Sequence, residues 1–183
     1  MARVLIPLAQ GCEELEAVTV IDLLRRAGVE VVTAGLAEGL VKCSRGVVLM
    51  PDALLDDVLN DSFDMLVLPG GLPGADHLDA DPRIRQLLRN MAEQGRYTAA
   101  ICAAPKVLGS AGLLDGRTAT SYPGVLEAGN FDQTVLSDQA VVKDGNVITS
   151  RGPGTAMDFA LELIETLCGA EQRKAVEDPL VRP

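Results

Sequence analysis

A doubly wound α/β domain, with a mostly parallel sheet and helices on both faces, is the fold this sequence predicts. Three observations predict it. Short apolar runs alternate with amphipathic stretches along the chain, as in repeated βαβ units. Hydrophobic residues make up 48% of the 183, enough for a sizeable core in one domain over residues 1–183. No internal repeat, low-complexity tract or linker interrupts the alternation.

The elements follow in order. "RVLIPLA" (Arg3 to Ala9) is an apolar run that reads as a strand. Glu13 to Gly28 reads as a helix, with Leu15, Val18, Ile21 and Leu24 at helical spacing. Arg25 and Arg26 suit the negative end of its dipole, and Gly28 suits its C-terminal cap. Val29 to Gly35 is a second strand. Leu40 to Ala53 predicts an extended excursion or hairpin about Ser44 to Gly46, and "DALLDDVL" predicts a short helix. Phe63 to Gly71 is a strand running into a glycine turn. Asp81 to Gly95 predicts a helix with Pro82 in its first turn. Thr98 to Cys102 reads as a buried strand, and Pro105 to Gly109 as the start of a helix. Arg117 to Tyr122 is another strand. Ala140 to Ser150 predicts a hairpin turning at Asp144-Gly145. Gly152 to Gly169 predicts a helix, with Thr155 and Asp158 as a capping-box-like start.

Bulk composition excludes several classes of function. The net charge of −10 argues against stable nucleic-acid binding and against docking on anionic membranes, and it favours solubility. No apolar run approaches the roughly 18 residues of a membrane span. The N-terminus enters a strand directly, without the apolar core and cleavage site of a signal peptide, which predicts a cytoplasmic location. The cysteines, Cys12, Cys43, Cys102 and Cys168, show no CxxC or zinc-ribbon spacing and are expected to be free thiols. With His77 as the single histidine, a transition-metal site is not expected.

In open α/β sheets, ligands bind at the carboxyl ends of strands, beside a switch in strand order. Three glycine- or alanine-rich turns fall at predicted strand ends, after Ala9, Pro69 and Cys102, and are expected to converge. Cys102 stands at a strand-to-helix corner among small alanines. A helix start stabilises a thiolate and lowers its pKa, and a sharp corner lifts a reactive atom clear of the sheet. A buried core cysteine is the competing reading. The amides of Gly70, Gly71 and Ala103 are candidate oxyanion donors, or simply part of tight turns. Glu13 and Glu14 suit the positive end of the first helix. Glu16, nearly a turn further in, is either a solvated acid or a buried one with a raised pKa, able to donate to a thiolate or move a proton. His77 reads as a surface or helix-start residue. Arg45 reads as a turn or interface residue, and Arg151 as a structural residue or an anion ligand at a helix start.

Taken together, "GCEELEAVTVIDLLRRAG", "CSRGV", "LPGG", "AAICAAP" and "SRGPGTAMDFALELIE" resemble the ThiJ/PfpI superfamily. The similarity is closest to the branch of the parkinsonism-associated deglycase and bacterial YajL, and it runs nearly the whole chain. The resemblance implies a flavodoxin-like α/β sandwich that forms a homodimer. It implies that Cys102 is a nucleophile easily oxidised to a sulfinate, with Glu16 as its protonated partner. It assigns Gly71 and Ala103 as backbone donors beside the thiol, and Arg45 as a residue reaching toward the neighbouring subunit's active site. That branch carries a histidine before proline where Tyr122 stands here, leaving Glu16 as the only nearby acid/base. The superfamily's proteases have a histidine in place of Ala103, and related amidotransferases need one downstream of Cys102, where none occurs. The function implied is a cysteine-dependent enzyme, free of cofactor and metal, acting on 2-oxoaldehydes or on glycated proteins and nucleotides. A redox sensor or chaperone with little turnover is the alternative. An inactive small-molecule binding domain that keeps the fold is a third.

Overall fold

The computed structural model describes residues 1–129 and 131–182. The chain begins with β1 (Arg3–Leu8), α1 (Glu14–Arg26) and β2 (Glu30–Gly35), then β3 (Val41–Lys42), β4 (Val48–Leu49), β5 (Ala53–Leu54) and the single turn α2 (Leu55–Val58). Next come β6 (Met65–Leu68), α3 (Gly74–Ala80), α4 (Pro82–Glu93), β7 (Tyr97–Ile101) and α5 (Pro105–Ser110). β8 (Thr118–Ala119), α6 (Val125–Ala128), β9 (Val135–Leu136), β10 (Val141–Asp144), β11 (Val147–Ser150), α7 (Ala156–Cys168) and α8 (Ala170–Glu177) follow.

Seven strands make one sheet in the order β10-β11-β7-β6-β1-β2-β5. Every pairing is parallel except β10 with β11, the hairpin expected about Asp144-Gly145. This is the flavodoxin-like α/β fold. Helices cover both faces because the strands are apolar on both. Val4, Ile6 and Leu8 of β1 pack in a cluster with Ala17, Val20 and Leu24 of α1 and Phe159 and Leu163 of α7. Leu5 joins the other cluster with Leu66, Leu68, Ile84, Leu88 and Leu108. From β1 the chain first builds outward through β2 to β5, then crosses to β6, β7 and β11. The strand order therefore switches between β1 and β6, which puts the carboxyl ends of β1, β6 and β7 side by side. Among the described residues, no helix is long and apolar enough to cross a membrane.

Several local expectations need correction. In α1 the buried stripe is Glu16, Ala17, Val20, Leu23 and Leu24, whereas Leu15 and Val18 are about half exposed. The helix has two apolar faces and the sheet takes only one. The strand expected over Arg117 to Tyr122 shrinks to Thr118–Ala119, paired with β9 outside the main sheet. Beyond it, the N–H of Thr120 donates to Thr149 Oγ1 and that of Tyr122 to the Cys102 carbonyl, so neither is free for a ladder. Thr155 occupies the N-cap position of α7, but its side chain makes no capping bond to the helix. Its hydroxyl accepts from the Gly152 N–H in a 3₁₀ turn ahead of the helix. Asp158 lies in the first turn of α7, as expected, and pairs with Arg182 at 2.6 Å. Asp81 caps α4 by accepting from the Arg83 N–H, ahead of Pro82 at the first helical position. Helices α3, α6 and α8 have no counterpart among the elements that the sequence predicts.

Candidate active site

The three turns after β1, β6 and β7 converge as expected. Glu13 N–H donates to the Gly70 carbonyl at 2.9 Å, and Cys102 N–H donates to the Ser150 carbonyl at 3.0 Å. Tyr122 N–H closes on the Cys102 carbonyl at 2.8 Å. These bonds hold Cys102 at φ 63°, the left-handed region, which costs a side-chain-bearing residue about 1–2 kcal/mol. Such strain marks a nucleophile elbow, where the turn between β7 and α5 presents the side chain at the sheet end.

Glu16 is fully buried on the inward face of α1. Its Oε2 accepts from the Gly70 N–H at 2.9 Å, and its Oε1 is buried without a hydrogen-bond partner. The carboxyl faces the Cys102 thiol. Gly70 is what lets the two approach. A methyl group on it would lie 2.6 Å from Cys102 Cβ and 2.7 Å from Glu16 Oε2. Gly71 sits at φ +86°, packed on the backbone of Cys12 and Gly11, so glycine suits it by conformation as well as by space. The amides of Gly71 and Ala103 flank the Cys102 sulfur and favour its thiolate.

Burial pushes the Glu16 carboxyl up to about 7, although the Cys102 and Gly70 hydrogen bonds oppose the rise. Burial, then the Glu16 charge and its hydrogen bond, push the Cys102 thiol up to about 12, against the Gly71 and Ala103 amides. This corrects the expected helix-depressed thiol. The thiol is only 9% exposed, and α5 begins three residues later with a single short run of six residues. Two of the three causes raising the thiol vanish when Glu16 carries a proton. The pair therefore titrates as a unit, losing one proton near 7 and the second at about 12. In the singly protonated state, a proton on Glu16 lets the carboxyl donate to a thiolate.

The remaining candidates divide. Arg45 donates its backbone N–H to Glu14 Oε1 at 2.9 Å. Its guanidinium is exposed and makes no ion pair among the described residues. Burial opposes ionisation of Glu14, but the amides of Arg45 and Val47 and the Ser44 hydroxyl hold its carboxyl below the usual range. Tyr122 supports the nucleophile through its backbone, while its ring lies about half exposed over Gly152. His77 is an exposed residue in the last turn of α3, not at a helix start, and its Nδ1 is tied to the Gln10 carbonyl at 2.9 Å. Arg151 donates to the Asp138 carbonyl at 2.8 Å, which is a structural role. A cleft of about 470 Å³ opens beside Ala103, lined by Leu72, Lys106, Val125 and Phe131. A larger cavity of about 540 Å³ near Thr120 and Arg151 has neither Cys102 nor Glu16 in its lining. Among the described residues, no cluster of three or more His, Cys, Asp or Glu side chains is arranged to hold a metal.

Sequence reasoning missed two contacts. Ser44 Oγ donates to Glu13 at 2.7 Å, and the sulfurs of Cys12 and Cys43 lie 3.6 Å apart. Nothing in the spacing of these residues signals either, because both depend on how the β3–β4 loop folds over the start of α1.

Comparison with known proteins agrees with this fold. The model of the DJ-1/PfpI family matches residues 2–166. The chain is 46% identical over 178 residues to Protein dj-1beta of Drosophila melanogaster, covering 97% of this chain and 95% of that one. It is 38% identical over 179 residues to a Caenorhabditis elegans protein named glutathione-independent glyoxalase DJR-1.2, covering 98% and 95%. The crystal structure of Drosophila melanogaster DJ-1beta superposes with a TM-score of 0.95 at 44% identity, covering 100% of this chain and 98% of that one.

Proposed function

The chain belongs to the DJ-1/PfpI family, and from that premise we propose that it is a cysteine-dependent enzyme converting small 2-oxoaldehydes to 2-hydroxy acids, or releasing them from glycation adducts. The observation that carries this reading is the fully buried Glu16 carboxyl facing Cys102, with one oxygen lacking any donor. A family relative named as a glutathione-independent glyoxalase supports it.

The chemistry is an internal redox exchange between neighbouring carbons. The Cys102 thiolate adds to the aldehyde carbon of methylglyoxal, and the oxygen takes a proton to give a hemithioacetal. Glu16 removes the proton from that carbon and returns it to the adjacent one, leaving a thioester of lactate. The Gly71 and Ala103 amides hold the negative oxygen during addition and hydrolysis. Water cleaves the thioester, releases lactate and restores the thiol. One carbon is oxidised and its neighbour reduced, so this route needs no external electron carrier. For a glycated amine or thiol, attack on the adduct carbon expels the amine or thiol instead.

A second reading rests on the same donors. Two amides and a protonated Glu16 around one sulfur suit the oxygens of a cysteine sulfinate, as in a redox sensor. One experiment separates the two. The reduced protein is incubated with methylglyoxal without cofactor, and lactate is followed by NMR. Lactate above the buffer rate supports the enzyme. No lactate, with peroxide converting Cys102 alone to the sulfinate, supports the sensor instead.

We also propose that two copies associate through the face of α1 left outside the core. Leu15 and Val18 of α1 and Met157 of α7 are each close to half exposed, and Met50 is 81% exposed. Val18, Leu49 and Met50 line one shallow groove. Arg45, on the adjoining β3–β4 loop, would then reach the partner. Val18→Glu is expected to convert a dimer to a monomer in sedimentation velocity. A wild-type protein that sediments as a monomer at micromolar concentration would sink the proposal.

A further inference from the structure

Cys12 and Cys43 form a second thiol centre apart from Cys102. Their sulfurs lie 3.6 Å apart within hydrogen-bonding reach, and both residues are buried, at 0% and 4% exposure. Neither is bonded into a disulfide. They come from segments that the backbone clamps together. Gly11 N–H donates to the Lys42 carbonyl at 2.8 Å, and Ser44 N–H donates to the Cys12 carbonyl at 2.8 Å. Side-chain bonds reinforce the clamp, from Ser44 Oγ to Glu13 and from the Arg45 N–H to Glu14. The sulfurs are thus held as neighbours, at 3.6 Å against the roughly 2 Å of a disulfide bond. Of the four cysteines, Cys12 and Cys43 are the only two within bonding reach of each other among the described residues.

We propose that Cys12 and Cys43 form a reversible intrachain disulfide, with a small neutral hydroperoxide as oxidant. One thiol gives up its proton as its sulfur attacks a peroxide oxygen; the O–O bond breaks and that proton leaves in water, giving a sulfenic acid. The second thiol attacks that sulfur, the S–O bond breaks and a second water leaves. Two thiols lose two electrons in total, and one hydrogen peroxide becomes two waters. The surroundings make this oxidation slow, because only the thiolate is nucleophilic, and they select the oxidant. Burial keeps both thiols protonated, and the carboxylates of Glu13 and Glu14 beside Cys43 oppose a thiolate further. A bulky anionic disulfide is excluded by the same burial and charge, whereas hydrogen peroxide is small and uncharged. The bond would tether the β3–β4 loop, which carries Arg45, to the entrance of α1, four residues before Glu16. It is independent of the chemistry proposed for Cys102.

The test uses the whole chain, reduced, desalted and exposed to hydrogen peroxide. The protein is then denatured, its free thiols are alkylated with iodoacetamide, and its peptides are analysed by mass spectrometry. A linked peptide pair holding Cys12 and Cys43, two hydrogens lighter than its parts, is expected in wild type and equally in Cys102→Ser. Dithiothreitol should reverse it. Because the residues are 31 apart in sequence, closing that loop should raise Tm by roughly 7–14 °C. Cys12→Ala and Cys43→Ala should each lose both the linked pair and the Tm rise. Full alkylation of Cys12 and Cys43 while Cys102 is oxidised would overturn the proposal, as would links found only between chains.

Discussion

Cys102→Ser is expected to abolish lactate formation from methylglyoxal, and Glu16→Gln to lower kcat by roughly 10²–10⁴-fold, the usual worth of a positioned acid/base. A serine hydroxyl has no ionised form near neutrality, so no adduct forms. Glutamine keeps the shape and a hydrogen-bond donor but cannot move a proton between carbons. The pH profile separates the two roles of the glutamate. The pair must lose one proton before a thiolate can coexist with a protonated carboxyl. Turnover in wild type should therefore rise through the region near 7 and level off above it. In Glu16→Gln that limb should disappear. Stability offers a readout independent of turnover. Glu16 sits near 7 when folded against 4.5 for an ordinary glutamate, so the native state binds the extra proton between those values. Its contribution to stability is present below that window and is lost as pH rises through it, by about 3 kcal/mol. Glu16→Gln should flatten this slope in thermal unfolding measured on either side of the window. A variant with undiminished kcat and an unchanged profile would remove Glu16 from the reaction.

Much of the fold is legible because its signals are local. The runs at Arg3–Leu8, Glu30–Gly35 and Tyr97–Ile101 are apolar on both faces, which only a covered parallel sheet accommodates. Asp144-Gly145 and Asp81-Pro82 mark a hairpin and a helix start by turn and cap chemistry that needs no tertiary context. The site is legible to the extent that strand order can be inferred, since that order brings the turns after β1, β6 and β7 together. What local pattern cannot supply is the choice between faces. Leu15 and Val18 match helical spacing as well as Ala17 and Val20 do, yet only the second pair packs on the sheet. The ionisation of Cys102 departs from its local reading for a related reason. A helix start acts locally, but the burial and the Glu16 carboxyl that outweigh it arrive from α1, 86 positions earlier in the sequence.

Gly70→Ala is the substitution expected to damage the site most without touching a reacting group. Gly70 lacks the positive φ that would strain an alanine, so its backbone admits the change and only space forbids it. The new methyl would meet Cys102 Cβ at 2.6 Å, Glu16 Oε2 at 2.7 Å and the Ile101 carbonyl at 2.7 Å. Two of these belong to the proposed reacting pair and the third to the strand that carries it, so relief requires the pair to part. Overpacking of this kind costs about 1–3 kcal/mol. A displacement near 1 Å at a reaction centre costs on the order of 10²-fold in rate. The expected result is therefore a folded protein with kcat/KM reduced at least 10²-fold and the pH limb near 7 displaced. Gly95→Ala is the control. Its φ of +67° makes alanine strained, but nothing lies within 4 Å of the added carbon, so it should lose stability and keep turnover. If Gly70→Ala instead keeps full turnover while Gly95→Ala behaves as expected, close approach of Cys102 and Glu16 is not what the reaction uses. The thiol would then act without the glutamate.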